Sequence, residues 1–360
     1  MDSLVIERFK NIRTLQLESL RRVNLIVGQN NVGKSTLLEA ISLYLTQGTP
    51  SHLQRLLERR GELTARQEET DEERKDHFLS FFYGYKESYK KDDYIFVGQG
   101  KDDPLAVRIN QVYIKERLEK DEEGYEHRLR SRLFEEDLAE SDNTLEPGIF
   151  VTASSPALLS YSGMMRRSWI ARDSIKPFQY VDARVIDVEE NAVLFDKISL
   201  SPDEEYVVEA LRIINPLIER IAYVTSSNKR DRYPIVTVKG DSRRYRLSSM
   251  GDGLNRILTI ILSMLNCKNG VLLIDEFETG LHYSVQEQLW DIVFSLSKKL
   301  NIQVFATSHS RDCIEGFSRQ NEEDQGLLIR LEQRGEEILP VMYADKEEIL
   351  FAINKDIEIR

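Results

Sequence analysis

The chain has 360 residues, of which 41% are hydrophobic and 31% are charged, with a formal net charge of −12. That composition is typical of a globular protein with a large core, and the acidic balance argues against a surface built uniformly for nucleic acid. The longest apolar runs, at 257–265 and 271–274, are too short to span a membrane. The N-terminus does not read as a secretion signal. We therefore expect a cytoplasmic protein without a membrane partner.

The first third of the chain reads as strands that lead into helices. Runs of apolar and alternating residues predict strands at 4–9, 15–20 and 23–27. A helical pattern follows and ends at the Gly-Thr-Pro of 48–50. Residues 52–75 are rich in Arg and Glu with a thin apolar stripe, so we expect these helices to be largely exposed or to meet a partner.

The middle third is less regular. Strands are predicted within 93–114 and at 149–151 and 178–181. Between them, the high charge density of 116–142 predicts a surface hairpin or a mobile excursion. Apolar residues at helical spacing then predict a long amphipathic helix over 204–222. Short strands are expected at 221–224, 235–238 and 244–247.

The last third alternates helices with short apolar strands. The pattern predicts a helix at 253–265, a buried strand at 270–275, a helix at 285–300 and a buried strand at 302–306. Such alternation indicates a parallel α/β core. A strand pair at 327–330 and 337–342 and a closing helix at 346–354 are expected after it.

The strongest motif is Gly28 to Thr36, which reads Gly-Gln-Asn-Asn-Val-Gly-Lys-Ser-Thr and fits G-x-x-x-x-G-K-[ST] between a predicted strand and a helix. A glycine-rich loop turns backbone amides toward a phosphate, and the following helix presents its free amides to the same anion. Lys34 should reach the β and γ phosphates, and the Ser35 hydroxyl should bind Mg²⁺. The residues predicted to bind ATP here are Asn30, Asn31, Gly33, Lys34, Ser35 and Thr36.

A second motif places two acids at the end of a buried strand. Residues 271–274 are apolar, and Asp275 and Glu276 follow directly. Ligands of open α/β sheets bind at the carboxyl ends of the strands, so Asp275 is predicted to hold Mg²⁺ and Glu276 to act as the general base. The alternative is that two acids follow the strand by accident.

Two further segments complete the candidate site. His309 follows the strand at 302–306 and is predicted to hydrogen-bond the γ phosphate, although a lone histidine is usually structural. Ser248, Ser249 and Gly251 end a strand and open a helix, which by itself is a common helix start. Alongside the P-loop, this second anion site makes sense when it faces the nucleotide of another subunit.

The order of these motifs resembles the ABC-type ATPase fold. The opening Phe9-Lys10-Asn11-Ile12 is similar to the SMC, RecF and OLD group, and the stretch Asp275 to His282 resembles the OLD type. The resemblance implies an α/β ABC-type P-loop ATPase head with a mixed central sheet, an antiparallel β lobe and an inserted helical lobe. It also implies ATP and Mg²⁺ as ligands and an ATP-sandwich homodimer, in which residues 33–35 of one subunit close against 249–251 of the other.

The sequence departs from the transporter pattern at two points. It lacks the Leu-Ser-Gly-Gly-Gln string, which leaves open whether Ser248 or Ser249 meets the γ phosphate. Gln99 and Gln179 are both candidates for the Q-loop glutamine. Each of them could equally be an ordinary surface amide.

The resemblance also implies a domain organisation. The ATPase core is predicted at 1–50 and 235–345, a partner-binding insert at 51–234 and a closing helix at 346–360. The 51 residues after His309 are too few for the TOPRIM nuclease that often follows in the OLD group, so we expect the effector to be another chain. The leading hypothesis is a stand-alone OLD-like ATPase of a two-component anti-phage system, similar to that of the PARIS system.

The alternative hypothesis is an SMC- or RecF-like ATPase that binds DNA in repair or maintenance. Ordinary solvated charge is the competing explanation for its basic residues, because Glu residues are interleaved among them. The transporter-type signature is missing, which argues against a transporter ATPase subunit. The basic candidates are Arg55, Arg59, Arg60, Arg66, Arg166, Arg167, Arg172, Arg243 and Arg244.

Overall fold

The computed structural model describes residues 1–62, 70–120, 125–139, 145–161, 174–183, 187–226, 231–322 and 325–354. The chain forms two compact units, which we describe separately. The first unit comprises Met1–Ser19, Glu39–Ile175 and Gln333–Leu339, and the second comprises Leu20–Leu38, Lys176–Glu332 and Pro340–Arg360. No helix within the described ranges is long and apolar enough to cross a membrane.

The first unit is built on an antiparallel sheet. Its strands are β1 (Leu4–Phe9), β2 (Ile12–Leu17), β4 (Tyr94–Gly98), β5 (Val107–Lys120), β6 (Glu126–Leu133), β7 (Leu145–Thr152) and β8 (Ala157–Ser160). They lie in the order β2-β1-β4-β5-β7-β8, and β6 pairs with β5. The β5–β6 pair confirms the charged hairpin expected within 116–142, although 121–124 and 140–142 lie outside the described residues. The predicted strand at 15–20 is displaced, since β2 begins at Ile12 and ends at Leu17.

Two helices of the first unit differ in burial. They are α2 (Pro50–Arg60) and α3 (Asp71–Leu79). The expectation of largely exposed helices is wrong for α2, because His52 and its leucines at 53, 56 and 57 are buried. It holds for most of α3, whose only buried residues are the last two. A thin apolar stripe is thus enough to bury one face of a short helix.

The second unit is built on a largely parallel sheet. Its strands are β3 (Val23–Gly28), β9 (Phe178–Val181), β13 (Val271–Ile274), β14 (Gln303–Thr307), β15 (Gly326–Arg334) and β16 (Glu337–Tyr343). The order is β16-β15-β3-β14-β13-β9, and the four pairs from β15 to β9 are parallel. Every residue of β3 and β13 is buried. Strands covered on both faces read as continuous apolar runs, which is why the sequence revealed them.

The second unit also contains helices and a small sheet. Its helices are α4 (Val188–Asp196), α5 (Glu204–Leu211), α6 (Asp252–Leu265), α7 (Tyr283–Lys299), α8 (Arg311–Gln320) and α9 (Lys346–Asn354), and the small sheet has the order β10 (Ile218–Thr225), β11 (Arg232–Val238) and β12 (Asp241–Arg246). Helix α1 (Lys34–Leu45) begins in the second unit and continues into the first from Glu39 onward. The mixed α/β class with a separate antiparallel sheet is confirmed.

The predicted helix over 204–222 is wrong beyond Leu211. Helix α5 ends at Leu211, and strand β10 begins at Ile218. Pro216 disfavours helical geometry at Asn215, and the Asn215 side chain accepts a hydrogen bond from the Leu217 amide at 3.1 Å. The apolar spacing continued through this turn by coincidence. The described residues of the predicted insert 51–234 fall in both units, and its boundaries stay a prediction.

Candidate nucleotide-binding site

The P-loop connects β3 to α1 through backbone geometry that needs glycine. Gly28 has φ of +144°, and a Cβ there would lie 2.6 Å from the carbonyl oxygen of Leu331. Gly33 and Asn31 also have positive φ, at 103° and 64°. Helix α1 begins at Lys34, immediately after the loop. The loop therefore ends on free helix amides, which is the arrangement that binds phosphate.

Lys34 folds back over this loop. Its Nζ donates to the carbonyl oxygens of Gly28 at 2.7 Å and Gln29 at 3.0 Å. Burial lowers the pKa of Lys34, while the nearby carboxylates of Glu278, Asp275 and Glu276 act in the opposite direction. The lysine is thus close to the acids that follow β13, as the two motifs predicted. Of the other loop residues, Asn30, Asn31 and Ser35 are exposed, whereas Gly33 and Thr36 are buried.

Asp275 joins three segments of the chain. Ser35 Oγ donates to Asp275 Oδ1 at 3.0 Å, and Thr307 Oγ1 donates to the same oxygen at 2.7 Å. Burial raises the pKa of Asp275, and the hydrogen bonds from Thr307 and Ser35 oppose that rise. The P-loop, the acidic pair and the end of β14 therefore meet at the carboxyl edge of the parallel sheet.

Glu276 stands next to this contact on an unusual backbone. Its φ is +48°, in the left-handed region that residues other than glycine seldom adopt. The Glu276 amide donates to Thr307 Oγ1 at 2.8 Å, and Thr279 Oγ1 donates to Glu276 Oε2 at 3.1 Å. These bonds fix both the main chain and the carboxylate. Backbone strain of this kind is often found at functional sites.

His309 is held by a second acid, which the motif analysis missed. Glu278 Oε1 accepts from the His309 amide at 2.8 Å and lies 3.0 Å from His309 Nδ1. The Glu278 side chain is 9% exposed, whereas that of His309 is 53% exposed. A carboxylate on Nδ1 fixes the ring and leaves Nε2 for a ligand. The signal in the sequence was an acid in a buried turn directly after the acidic pair.

Arg256 is a second residue that the sequence motifs did not reveal. It lies on α6, is 2% exposed, and donates to main-chain carbonyl oxygens of Asp275 and Glu276 at 2.7 and 2.8 Å. A charged residue on the apolar face of a helix was the available signal, because a buried cation needs partners. Thr307 was also overlooked, although it ends a buried strand beside the predicted His309.

The serine and glycine segment directly precedes helix α6 in the second unit. Ser248 and Ser249 are exposed in a short 3-10 turn, Leu247–Met250, and Ser249 Oγ donates to the Arg246 carbonyl oxygen at 2.7 Å. Gly251 has φ of +113° and precedes α6. The contact of these residues with another subunit's nucleotide stays a prediction.

The two Q-loop candidates have different surroundings. The Gln99 side chain donates to Tyr44 Oη at 3.0 Å and accepts from the Asp2 amide at 3.2 Å within the first unit. Gln179 lies within β9, opposite Leu272 of β13. The assignment of either to a Q-loop stays a prediction.

The acidic edge suits a magnesium ion. The Ser35 hydroxyl and the Asp275 carboxylate are hard oxygen ligands that already lie 3.0 Å apart. Mg²⁺ takes few ligands from a protein and completes its shell with phosphate and water. Ser35 and Asp275 are therefore the two residues that would hold the ion.

Comparison with known proteins agrees with this geometry. The family described as "AAA domain, putative AbiEii toxin, Type IV TA system" matches residues 23–312. The chain belongs to this AAA-domain family. Its match spans the P-loop, the acidic strand and His309. The protein is therefore a P-loop nucleotide-binding domain of the ATPase type, as the motifs predicted.

Individual relatives are more distant. This AAA-domain protein is 26% identical over 370 residues to a Helicobacter pylori protein named "ATP/GTP phosphatase", with 95% of each chain covered. It is 34% identical over 95 residues to the uncharacterized protein MJECL11 of Methanocaldococcus jannaschii, covering 26% of this chain and 83% of the other. Its fold is similar to a structure described as the SmcHead bound to the C-winged helix domain of ScpA, with a TM-score of 0.53 and 14% identity over 96% of this chain and 99% of that one. The expected ABC-type head fold is confirmed, and the place in the OLD group stays a prediction.

Proposed function

We propose that this AAA-domain protein binds ATP with Mg²⁺ and hydrolyses the γ-phosphate bond. The observation that carries the proposal is the 3.0 Å contact between Ser35 of the P-loop and Asp275 after β13, with Glu276 as the next residue. P-loop enzymes place metal ligands and the water-activating group at this junction. The name of the H. pylori relative, an ATP/GTP phosphatase, supports the same activity.

Each residue has a separate task in this proposal. The loop amides and Lys34 bind the phosphates, and Ser35 and Asp275 would hold Mg²⁺. The ion, when bound, supplies positive charge to the phosphate oxygens. Glu276 orients a water and accepts its proton as the water oxygen bonds to phosphorus and the bond to the ADP oxygen breaks. His309, oriented by Glu278, donates from Nε2 to the terminal phosphate.

The proposed activity acts within a dimeric clamp that controls a separate effector. Ser249 and Gly251 are exposed at the start of α6, where a second subunit's nucleotide could meet them. ATP would join two subunits, and hydrolysis would release them. The effector is a nuclease-like chain used in anti-phage defence. The family description, which names a putative toxin of a Type IV TA system, supports a role alongside further components.

Phosphate release from ATP by the purified protein, with and without Mg²⁺, tests the enzymatic part. Asp275→Asn should lower turnover at least about a hundredfold, because it weakens the metal site. Asp291→Asn, on the exposed face of α7, is the matched control and should retain turnover. Equal turnover of the wild type in Mg²⁺ and in a chelator would contradict the proposal.

Affinity purification from cells that carry the native neighbouring genes tests the clamp and its effector. We expect a nuclease-like chain to be retained with ATP and lost after hydrolysis. Retention of the same chain by Lys34→Ala, regardless of nucleotide, would contradict nucleotide control. If no chain from the operon is retained, the effector part of the proposal fails while the ATPase part stands.

A DNA-binding ATPase of the SMC or RecF type is the second candidate, favoured by the basic edge strand β6. Arg128, Arg130 and Arg132 alternate along it and therefore lie on one face. Two of the earlier candidates are paired, Arg60 with Glu39 and Glu62, and Arg243 with Asp241. Arg66, Arg166, Arg167 and Arg172 lie outside the described residues.

Binding of duplex DNA measured across a salt series tests this candidate. ATP-dependent binding that falls steeply with salt, and that weakens in Arg128→Ala, would favour it. Binding that is absent at low salt would remove it.

A further inference from the structure

Arg256 is a buried cation in an apolar setting. It lies on α6 among Leu254, Ile257 and Leu258, and all four side chains are at most 2% exposed. Burial lowers the pKa of Arg256, and the carboxylates of Asp275, Glu278, Asp182 and Glu276 oppose this. Few charged side chains are buried this deeply without a specific task for their hydrogen bonds.

The Arg256 guanidinium forms hydrogen bonds at the ends of two neighbouring strands and so joins them. One terminal nitrogen donates to the Asp182 carbonyl oxygen at 2.5 Å, and the other donates to those of Asp275 and Glu276 at 2.7 and 2.8 Å. Asp182 follows β9 and Asp275 follows β13, which pair in parallel with Val181 opposite Ile274. All three acceptors are main-chain atoms, so the arginine fixes the course of the chain and leaves the carboxylates unbound by it.

The chain at Glu276 is the part that needs fixing. The Glu276 φ of +48° is unfavourable for a residue other than glycine, so the surrounding hydrogen bonds must hold the backbone in this conformation. Thr307 holds the Glu276 amide, and Arg256 holds the Glu276 carbonyl oxygen. The next residue, Phe277, is anchored by stacking on Trp290 with ring centroids 3.9 Å apart. Of these three contacts, only the hydrogen bond from Arg256 brings a charged group to the main chain of the turn.

Arg256 also connects this turn to the exposed segment at the start of its own helix. Gly251 precedes α6, and Arg256 is the fifth residue of the helix. A helix rises 1.5 Å per residue and is stiff over so short a distance. A displacement of Ser249 or Gly251 is therefore transmitted to the Glu276 carbonyl oxygen through little more than one helical turn.

We propose that Arg256 is a positioning residue that holds the Glu276 main chain in its hydrolytic conformation and couples it to the Ser248–Gly251 segment. This inference rests on the proposed ATPase function for its kinetic consequence. Its structural consequence, a turn at 275–279 held by the guanidinium, is measurable whether or not the protein hydrolyses ATP.

The experiment compares Arg256→Lys with Arg21→Lys by amide hydrogen exchange of the 275–279 turn and by ATP turnover. Arg21 is a matched control because its guanidinium also donates to two main-chain carbonyl oxygens, those of Gly326 and Ala344, at the opposite edge of the sheet. A lysine keeps the charge but cannot reach three acceptors in a plane. If Arg256→Lys does not fold, Arg256→Gln takes its place.

We expect Arg256→Lys to speed exchange in the turn about tenfold and to lower kcat about tenfold or more, with the ATP Kd within about threefold of the wild type. Arg21→Lys should match the wild type in both. In a Glu276→Gln background the kcat loss should shrink to about twofold, because Arg256 acts through Glu276. With ATP and Mg²⁺, exchange in the turn should slow in Glu276→Gln but not in Glu276→Gln with Arg256→Lys.

Several results would overturn the inference. Unchanged exchange in the turn of Arg256→Lys would remove the positioning role, and an equal kcat loss in both backgrounds would show that Arg256 does not act through Glu276. Slowing by ATP that survives in the double variant would remove the coupling. If the wild type does not hydrolyse ATP, the proposed function fails, and the exchange comparison still decides whether Arg256 holds the turn.

Discussion

Polar residues serve different purposes in the two sheets of this protein. In the antiparallel sheet of the first unit they tie nearby loops to strands: Gln111, on β5, donates to the Lys86 carbonyl oxygen at 2.8 Å and accepts from the Ser88 amide at 3.3 Å. In the parallel sheet of the second unit, polar residues at the carboxyl ends of β3, β13 and β14 contact one another instead. Ser35, Asp275 and Thr307 are joined by hydrogen bonds of 3.0 and 2.7 Å.

Strand direction explains the contrast. Neighbouring strands of a parallel sheet all end at the same edge, so residues distant in sequence converge there. Neighbouring strands of an antiparallel sheet end at opposite edges, so polar residues find partners locally. We therefore expect polar residues at the ends of the parallel strands to control turnover with little effect on folding. Buried polar residues of the first unit should control folding with little effect on turnover.

Lys34→Ala should have the largest effect on ATP turnover, and an unchanged turnover would contradict the contrast between the two sheets. Lys34 Nζ donates to loop carbonyl oxygens at 2.7 and 3.0 Å, and the residue is only part-buried. We expect ATP turnover to fall at least about a thousandfold, because the phosphate charge loses its main side-chain partner. The melting temperature should stay within about 2 °C of the wild type. Lys268→Ala, which removes an exposed ion pair with Asp203, is the control.

The Glu278 and His309 pair also lies at the carboxyl edge of the parallel sheet and should affect turnover by a smaller factor. Glu278→Ala should lower kcat about tenfold, because His309 loses the acceptor that orients its ring. In a His309→Ala background the same change should cost little more, since Glu278 acts through the histidine. The kcat values of the wild type, the two single variants and the double variant give the coupling between Glu278 and His309. Equal losses of kcat in both backgrounds would show that Glu278 does not act through His309. Glu287→Ala, which removes an exposed partner of Arg319, is the control for the loss of charge.

His52 provides the smallest effect and belongs to the first unit. It is 4% exposed on α2, with its Nε2 2.8 Å from Ser42 Oγ. Burial, with help from Arg59 and Arg55, lowers the pKa of His52 from 6.5 to about 3. Below pH 6.5, His52 binds a proton in the unfolded chain but not in the folded chain. The free energy of unfolding therefore falls as the pH drops from 6.5 toward 3.

His52→Gln should remove that dependence. Between pH 7.5 and 5.5, the wild type should lose about 1.4 kcal/mol of unfolding free energy more than the variant does. Urea unfolding at the two pH values measures the difference, and ATP turnover at pH 7.5 should be unchanged. His127→Gln, at an exposed position on β6, should retain the wild-type pH dependence. An identical loss in wild type and His52→Gln would contradict the assignment.

The parallel sheet and most of its motifs were predictable from the sequence because its strands are short apolar runs that stop at polar residues. Strand β13 and the acids after it, and strand β14 before His309, were located within one or two residues. The P-loop needs glycine at positions 28 and 33 because its backbone has positive φ there. The amino-acid pattern of the loop therefore predicts its backbone conformation. In these places local chemistry and tertiary position agree.

Other features could not be found in this way. The contacts of Arg256 with Asp182, 74 positions earlier, and with Glu276, 20 positions later, depend on strand order, which periodicity does not encode. The helix expected over 204–222 failed because apolar spacing alone does not register the turn at Asn215 and Pro216. The burial of α2 was missed since its three leucines are too few to outweigh the surrounding charge in a sequence pattern.

The most direct test of the central claim is native mass spectrometry of Glu276→Gln with ATP and Mg²⁺, since one spectrum reports both the number of chains and the nucleotide they retain. The account predicts a dimer that holds two uncleaved ATP molecules, because the water lacks its proton acceptor while the phosphate and metal ligands are intact. A single chain, or a protein that carries ADP after rapid hydrolysis, would contradict it.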